Sequence, residues 1–387
     1  MTIRNGIYQL PKRISITYKG IPLLSLNGIT VASRAWYSSS VVPKSGSRFT
    51  YRIAASYSGK GQKLDPLKNV YDFNPINTTS MFSGPQGNGK GRTFRPASGQ
   101  DSFFVSNVGN TGEVAFGVAD GVGGWVDSGI DPADFAHSLC NYMRKSATGY
   151  PNGFKEQPIR PKDILQIGYS RVMKDDTVIG GGSTACIATA SKDGKLHVAN
   201  LGDSGFLHLR ANAVKFASPA QTHAFNTPYQ LSKIPRQMLV QEAVFGVTRY
   251  SETPKDADTT THSLSHGDIV IFASDGVWDN LSPEDTLTIA SRQMLAEGAW
   301  TETENEGVVA GDRLGYLTYT PSEAEGRKLQ ERLATLITRE AKIASLDMRR
   351  DGPFAKEVQR RYPNEDFRGG KMDDIVVVVA IVLEERF

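Results

Sequence analysis

Five apolar segments of this chain each meet an aspartate at one tip, and that pattern narrows the folds open to it. Ser102–Val108 follows Gln100-Asp101, Val114–Ala119 runs into Asp120-Gly121, and Leu196–Leu201 runs into Gly202-Asp203-Ser204. Ile269–Ala273 ends at Ser274-Asp275-Gly276. Ile375–Leu383, mostly Val and Ile, begins directly after Asp373-Asp374. Such a continuous apolar run bounded by polar residues reads as a buried strand. Further strands are expected at Phe49–Tyr57, Ser183–Ala190, Gly205–Arg210 and Asn212–Ala217. Helical patterns span Pro132–Ser146, Pro161–Lys174, Pro283–Ala296 and Ser322–Ile343, and Pro132 after Asp131 suits a first helical turn. Clustered strands with helices in pairs point to an α+β layered domain, not an alternating βαβ fold.

A single aspartate at a strand tip is ordinarily a turn or capping residue. Five of them converge if the strands share a sheet or sandwich. Converging carboxylates repel one another and are costly to desolvate unless cations sit between them. Hard cations such as Mg²⁺ or Mn²⁺ take oxygen ligands and suit that place. Gly121, lacking a side chain, lets the backbone carbonyl after Asp120 approach an ion.

Charge is distributed unevenly. No acid precedes Asp65, whereas ten Lys and Arg do, leaving 34 basic against 41 acidic residues for the remainder. A mildly acidic body does not bind nucleic acid by neutralising phosphates. The acid-free, Ser- and Thr-bearing segment 1–37 has the composition of a mitochondrial targeting peptide. Residues 38–48 read as a linker and 49–387 as the folded domain. Within it, 58–99 is rich in turn formers and expected to be flexible. Residues 298–321 are polar and without a clear period, as in a surface insertion whose Glu302, Glu304 and Glu306 are solvated. Ile21–Ala32 is too short and too polar to span a bilayer, and no other membrane segment is expected. Cys140 and Cys186 sit in apolar contexts with no zinc spacing and read as small buried hydrophobes.

The stretches FGVADGVGGW (116–125), GGGSTACIAT (180–189), VANLGDSGFLHLR (198–210), IVIFASDGVWDNL (269–281) and GGKMDDIVVVVAIV (369–382) resemble, in order, the motifs of the type 2C metal-dependent Ser/Thr protein phosphatases. The similarity is greatest to their mitochondrial branch, found in fungi and animals. The resemblance implies a four-layer α-β-β-α sandwich, a central β-sandwich flanked by paired helices. It implies two Mg²⁺ or Mn²⁺ ions with an optional third, and a bridging hydroxide that attacks phosphorus. By motif, Asp120 would bridge both metals and the Gly121 carbonyl would ligate one. Asp275 and Asp374 would bind the other, and Asp101 would support a metal-bound water. Asp203 and Asp279 would serve the third ion. Arg95, with Arg92 as the fallback, would bind phosphate as a catalytic residue. The implied partners are phosphoserine and phosphothreonine proteins of the mitochondrial matrix, met by a monomer.

Three departures stand against that pattern. Arg95 lies one residue further from the acid pair than is usual. Gln100 replaces one acid of that pair. Val122 stands where most members carry a His proposed as general acid, and none of the six His can be given that role from sequence. Gln100 and Val122 motivate an alternative, a catalytically weak or inactive phosphoprotein-binding module. A third reading keeps the enzyme but gives it a small phosphorylated metabolite or lipid. Trp125 and Trp278, each following a DG turn, read as packing beneath those loops.

Overall fold

The computed structural model describes residues 47–75, 95–150, 159–245, 250–322, 324 and 326–386. The expected targeting peptide, most of the linker, Arg92 and much of the flexible segment lie outside these residues. The first strand begins at Ser47, inside the span read as linker.

The described residues form two antiparallel sheets face to face. The six-stranded sheet has Ser47–Ser58 (β1), Val70–Asp72 (β2), Gly205–Arg210 (β8), Ala213–Ala217 (β9), Ile269–Ala273 (β14) and Ile375–Arg386 (β17), in the order β2-β1-β17-β14-β8-β9. The five-stranded sheet has Ser102–Asn107 (β3), Val114–Ala119 (β4), Ala185–Ala190 (β6), Lys195–Leu201 (β7) and Asp258–Ser263 (β13), in the order β13-β7-β6-β4-β3. Short strands pair beside them: Gly181–Ser183 (β5) with Leu231–Lys233 (β12), and Thr222–Ala224 (β10) with Thr227–Pro228 (β11). Trp300–Thr303 (β15) and Gly307–Ala310 (β16) form a hairpin.

The apolar run at β17 owes its composition to burial on both faces. Val376, Val378, Ala380 and Val382 pack between the sheets with Phe116, Val118 and Phe272. Val377, Val379, Ile381 and Leu383 point the other way, under Pro283–Ala296 (α5) and Leu329–Leu346 (α7). The period of two thus assigns one strand to two core layers. On the opposite face of the sandwich, Phe104, Ala115 and Ile187 pack against Pro132–Thr148 (α1) and Pro161–Lys174 (α2). This is the four-layer α-β-β-α sandwich expected. Asp131 caps α1 by accepting from Ala133 N, and Ser282 caps α5 by accepting from Asp285 N. Cys140 and Cys186 are free and buried in separate core layers.

Two spans differ from expectation. The helix expected at Ser322–Ile343 starts at Leu329, after a turn with Gly326 at φ 64°. Residues 298–321 are not a loose flap. They hold the β15–β16 hairpin and Leu314–Tyr319 (α6), and Trp300 is fully buried with its Nε1 donating to Gly267 O at 2.9 Å. Glu302, Glu304 and Glu306 are exposed, as a solvated tip requires. The sequence reading did not identify Arg236–Phe245 (α3), the single turn Asp275–Trp278 (α4), Pro353–Arg361 (α8) or β13. Among the described residues no helix is long and apolar enough to cross a membrane.

Candidate active site

The strand pairings carry the acids to one end of the sandwich. Ala119, one residue before Asp120, pairs with Ser102, one residue after Asp101. Ala273, two residues before Asp275, pairs with Val377 and with Gly205. Both sheets therefore deliver carboxylates to a shared cleft of about 620 Å³. It is lined by Asp120, Gly121, Asp203, Asp275, Asp373 and Asp374, with Gln100, Val122, Thr184 and Lys60 among the other walls. Two glycines permit the approach. A side chain at Gly276 would stand 2.0 Å from Asp374 O, and one at Gly121 would stand 2.9 Å from Gln100 O.

Each acid is held differently. Asp120 is fixed through its backbone: its N–H donates to Thr184 Oγ1 at 3.1 Å, and its carbonyl accepts from Thr184 N at 2.9 Å. Asp101 lies beneath the cleft at 1% exposure, and its Oδ2 accepts from Ser274 Oγ at 2.6 Å. The Asp101 Oδ1 is buried without a hydrogen-bond partner. Such an orphaned anion oxygen is costly unless something else meets it.

The Asp373-Asp374 pair is split in role. Asp374 accepts from the backbone N–H groups of Lys60, through Oδ1, and Gln100, through Oδ2 at 2.8 Å, so one acceptor site of each oxygen holds a neighbouring turn. Asp373 instead faces amines: Oδ1 lies 3.5 Å from Lys60 Nζ and Oδ2 lies 3.4 Å from Lys371 Nζ. The motif resemblance points to Asp374 as the ligand, and both acids of the pair line the cleft.

Lys371 was not singled out from sequence. Its Nζ lies 2.7 Å from Asp275 Oδ2 and 2.5 Å from Asp279 Oδ2. Asp279 thus joins the cluster through Lys371, although it does not line the cleft. Arg95 is not brought to the cleft walls. Its guanidinium pairs with Asp131 at 3.1 Å and also with Asp134, at the start of α1. No histidine lines the cleft among the described residues. Trp125 is buried with Nε1 donating to Gln230 Oε1, and the Trp278 Nε1 donates to Ala273 O, so both indoles are tied to packing.

The electrostatics follow from crowding. Burial, with the neighbouring acids adding to it, pushes the carboxyls of Asp101, Asp120, Asp279 and Asp373 above the ordinary range. Burial and Asp275 push Asp203 up to about 7. For Asp275 burial alone would do the same, but Lys371, together with hydrogen bonds from Asp120 and Asp279, outweighs it and holds this acid low. Among the described residues no three His, Cys, Asp or Glu side chains close around one point as a finished metal cage. The donor chemistry nevertheless fits a hard divalent cation: all-oxygen groups, an excess of negative charge and one unsatisfied buried carboxylate oxygen.

No family model matches the chain. Individual proteins do. The chain is 35% identical over 293 residues to the 5-azacytidine resistance protein azr1 of Schizosaccharomyces pombe, covering 76% of this chain and 84% of that protein. It is 31% identical over 357 residues to "Protein phosphatase 2C homolog 7, mitochondrial" of Saccharomyces cerevisiae, covering 92% and 93%. It is 32% identical over 290 residues to the protein phosphatase PTC7 homolog of Danio rerio, covering 74% and 82%. Among solved structures, the photosystem II phosphatase PBCP superposes with a TM-score of 0.53 at 26% identity, over 73% of this chain and 91% of that one. With likeness across nearly its whole length, the chain belongs to the protein phosphatase 2C family, alongside relatives named as PTC7 homologs.

Proposed function

We propose that this protein hydrolyses phosphoserine and phosphothreonine monoesters on mitochondrial proteins, using a binuclear Mg²⁺ or Mn²⁺ centre in the acid-lined cleft. The observation that carries this reading is the delivery of Asp120, Asp203, Asp275 and Asp373 into one cleft from strands of both sheets. Asp120, the Gly121 carbonyl, Asp275 and Asp373 would hold the two ions. Asp373 takes the place that sequence reading gave to Asp374, whose oxygens serve the Lys60 and Gln100 amides. When bound, the ion pair supplies Lewis-acid charge and a water nucleophile at neutral pH for in-line displacement at phosphorus.

The protein's own groups do the rest. Asp101, through Ser274, joins the floor of the cleft to the start of β17: Ser274 Oγ donates to Asp101 and accepts from Val376 N at 3.1 Å. Thr184 locks the backbone of Asp120. Lys60, exposed at the cleft wall, is placed to neutralise phosphoryl oxygens, a role that Arg95 cannot share while it is paired with Asp131 and Asp134. The acid-free N-terminal segment and the mitochondrial name of the Saccharomyces cerevisiae relative support a mitochondrial location, in the matrix.

The test follows phosphate release from a phosphothreonine peptide by the full chain, with Mn²⁺, with Mg²⁺ and with chelator, beside Asp373→Ala. Metal-dependent release that the variant loses is the expected result. Peptide binding without release, by a folded protein under either metal, would favour the binding module that Gln100 and Val122 suggest. Release confined to metabolite phosphates would change the substrate class.

A further inference from the structure

We propose that Lys371 is a built-in cation that takes the place of a third divalent ion, so that the centre loads two ions and not three. The proposal rests on the reading of the acid cluster as a divalent-metal centre. The Lys371 ammonium stands 2.7 Å from Asp275 Oδ2, 2.5 Å from Asp279 Oδ2 and 3.4 Å from Asp373 Oδ2. Asn226 Oδ1 accepts from it at 3.3 Å, and the Phe354 ring centroid lies 4.9 Å away. Three N–H groups thus meet acceptors on every side, as an ammonium requires when it leaves water.

This lysine is not a surface chain folded inward by chance. Asn280, fully buried, grips its backbone at both polar atoms: Asn280 Oδ1 accepts from Lys371 N at 2.9 Å, and Asn280 Nδ2 donates to Lys371 O at 2.8 Å. The same Nδ2 donates to Gly276 O at 2.9 Å, in the turn that begins with Asp275. One side chain therefore sets Lys371 against the turn that carries both Asp275 and Asp279. The side chain of Lys371 is 16% exposed, so it contributes fixed charge at the inner edge of the cleft.

The consequence is electrostatic. A dication seated on Asp279 meets a positive charge already at hydrogen-bond distance from the same carboxylate. Like charges that close, on side chains largely withdrawn from water, repel one another. A tethered cation also cannot dissociate, so the Asp275–Asp279 edge stays neutralised at any metal concentration. The two exchangeable ions are then held by Asp120, the Gly121 carbonyl and the Oδ1 atoms of Asp275 and Asp373, whose Oδ2 atoms face Lys371.

Calorimetric titration of Mn²⁺ into the chelator-stripped full chain, with native mass spectrometry for ion count, tests this. The wild type is expected to take up two ions. Lys371→Met, similar in length and uncharged, is expected to take up three, to melt below the wild type in chelator, and to regain the difference with Mn²⁺. Asp279→Asn provides a second line if Lys371→Met fails to fold: it is expected to keep two ions. Three ions in the wild type, with one lost in Asp279→Asn, overturns the proposal. So does a folded Lys371→Met that still binds two. No Mn²⁺ on the wild type overturns the metal-centre reading, and this proposal with it.

Discussion

Strand β14 has an aspartate near each end, one fully buried and one partly buried, and the fold surrounds them differently. Asp268, just before the strand, is fully buried and saturated. It accepts from His208 Nε2 at 2.8 Å, from Arg210 Nε and Nη2 at 2.7 Å each, and from Ser265 N at 2.8 Å. Burial alone would raise its pKa, but the bonds from Arg210, His208 and the Ser265 amide outweigh it and hold the carboxyl below the usual range. Asp275, two residues past the other end, faces a crowd of acids with Lys371 as its ammonium partner. A carboxylate whose counter-charges are supplied by the fold stabilises structure. A group of carboxylates with too few counter-charges awaits a ligand, and the fold bears that cost for function.

Removing one acid from the cleft and, separately, Asp268 sharpens the contrast. Asp120→Asn is expected to reduce metal-dependent phosphate release by roughly 10³-fold, about 4 kcal/mol of barrier. It is also expected to raise the melting point in chelator, since one repelling charge is gone. A thermal melt beside the rate assay reads both, and retention of full turnover would break the comparison. Asp268→Ala is expected to do the reverse. It strands His208 and Arg210, costing about 3 kcal/mol of stability by urea unfolding. The figure sits low in the usual range because Arg210, a third exposed, can rehydrate.

Smaller effects test the division within the acid pair. Asp374→Asn loses one charge-assisted acceptor to a backbone amide and is expected to slow release by no more than about tenfold. Asp373→Asn should match Asp120→Asn. Equal effects at 373 and 374 would mean that both acids reach the ions. The least of these effects is a pH trend. Without metal, acids with raised pKa hold protons in the folded state that the unfolded chain has released. Their stabilisation is present below the ordinary carboxylate value of 3.8 and is lost as pH rises towards about 7, where Asp203 titrates. Melting points in chelator should therefore fall across that window. The gain given by Mn²⁺ should grow across it, because protons and metal compete for the same oxygens. A Mn²⁺ gain independent of pH would remove the acids from the metal's binding.

The strands were legible wherever apolar period and turn chemistry agreed. β8 and β14 fall on the residues expected, and so do helices α2 and α5, each opened by a proline. β13, Asp258–Ser263, was not legible, since DTTTHS has no apolar alternation and pairs only at a sheet edge. Trp300 was hidden by its polar neighbours. At the site, the DG turns revealed Asp120 and Asp275 because glycine and acid occur together for a local reason. Lys60 and Lys371 carry no such signature. A lysine's meaning comes from what the fold sets around it, here Asn280 at Lys371 and Asp373 at Lys60.

The place of β17 in the chain sets a schedule. The acids gather from residues 101 to 374, and β17 lies between β1 and β14 in its sheet. A growing chain that has passed Asp275 but not reached residue 373 lacks that central strand, so β1 has no neighbour joining it to β14 and Asp373 is missing from the cleft. Loop closure across more than three hundred residues, from β1 to β17, must precede any assembled site. A chain that stops short of β17 therefore has an incomplete acid cluster, and the cleft is finished only with the last strand.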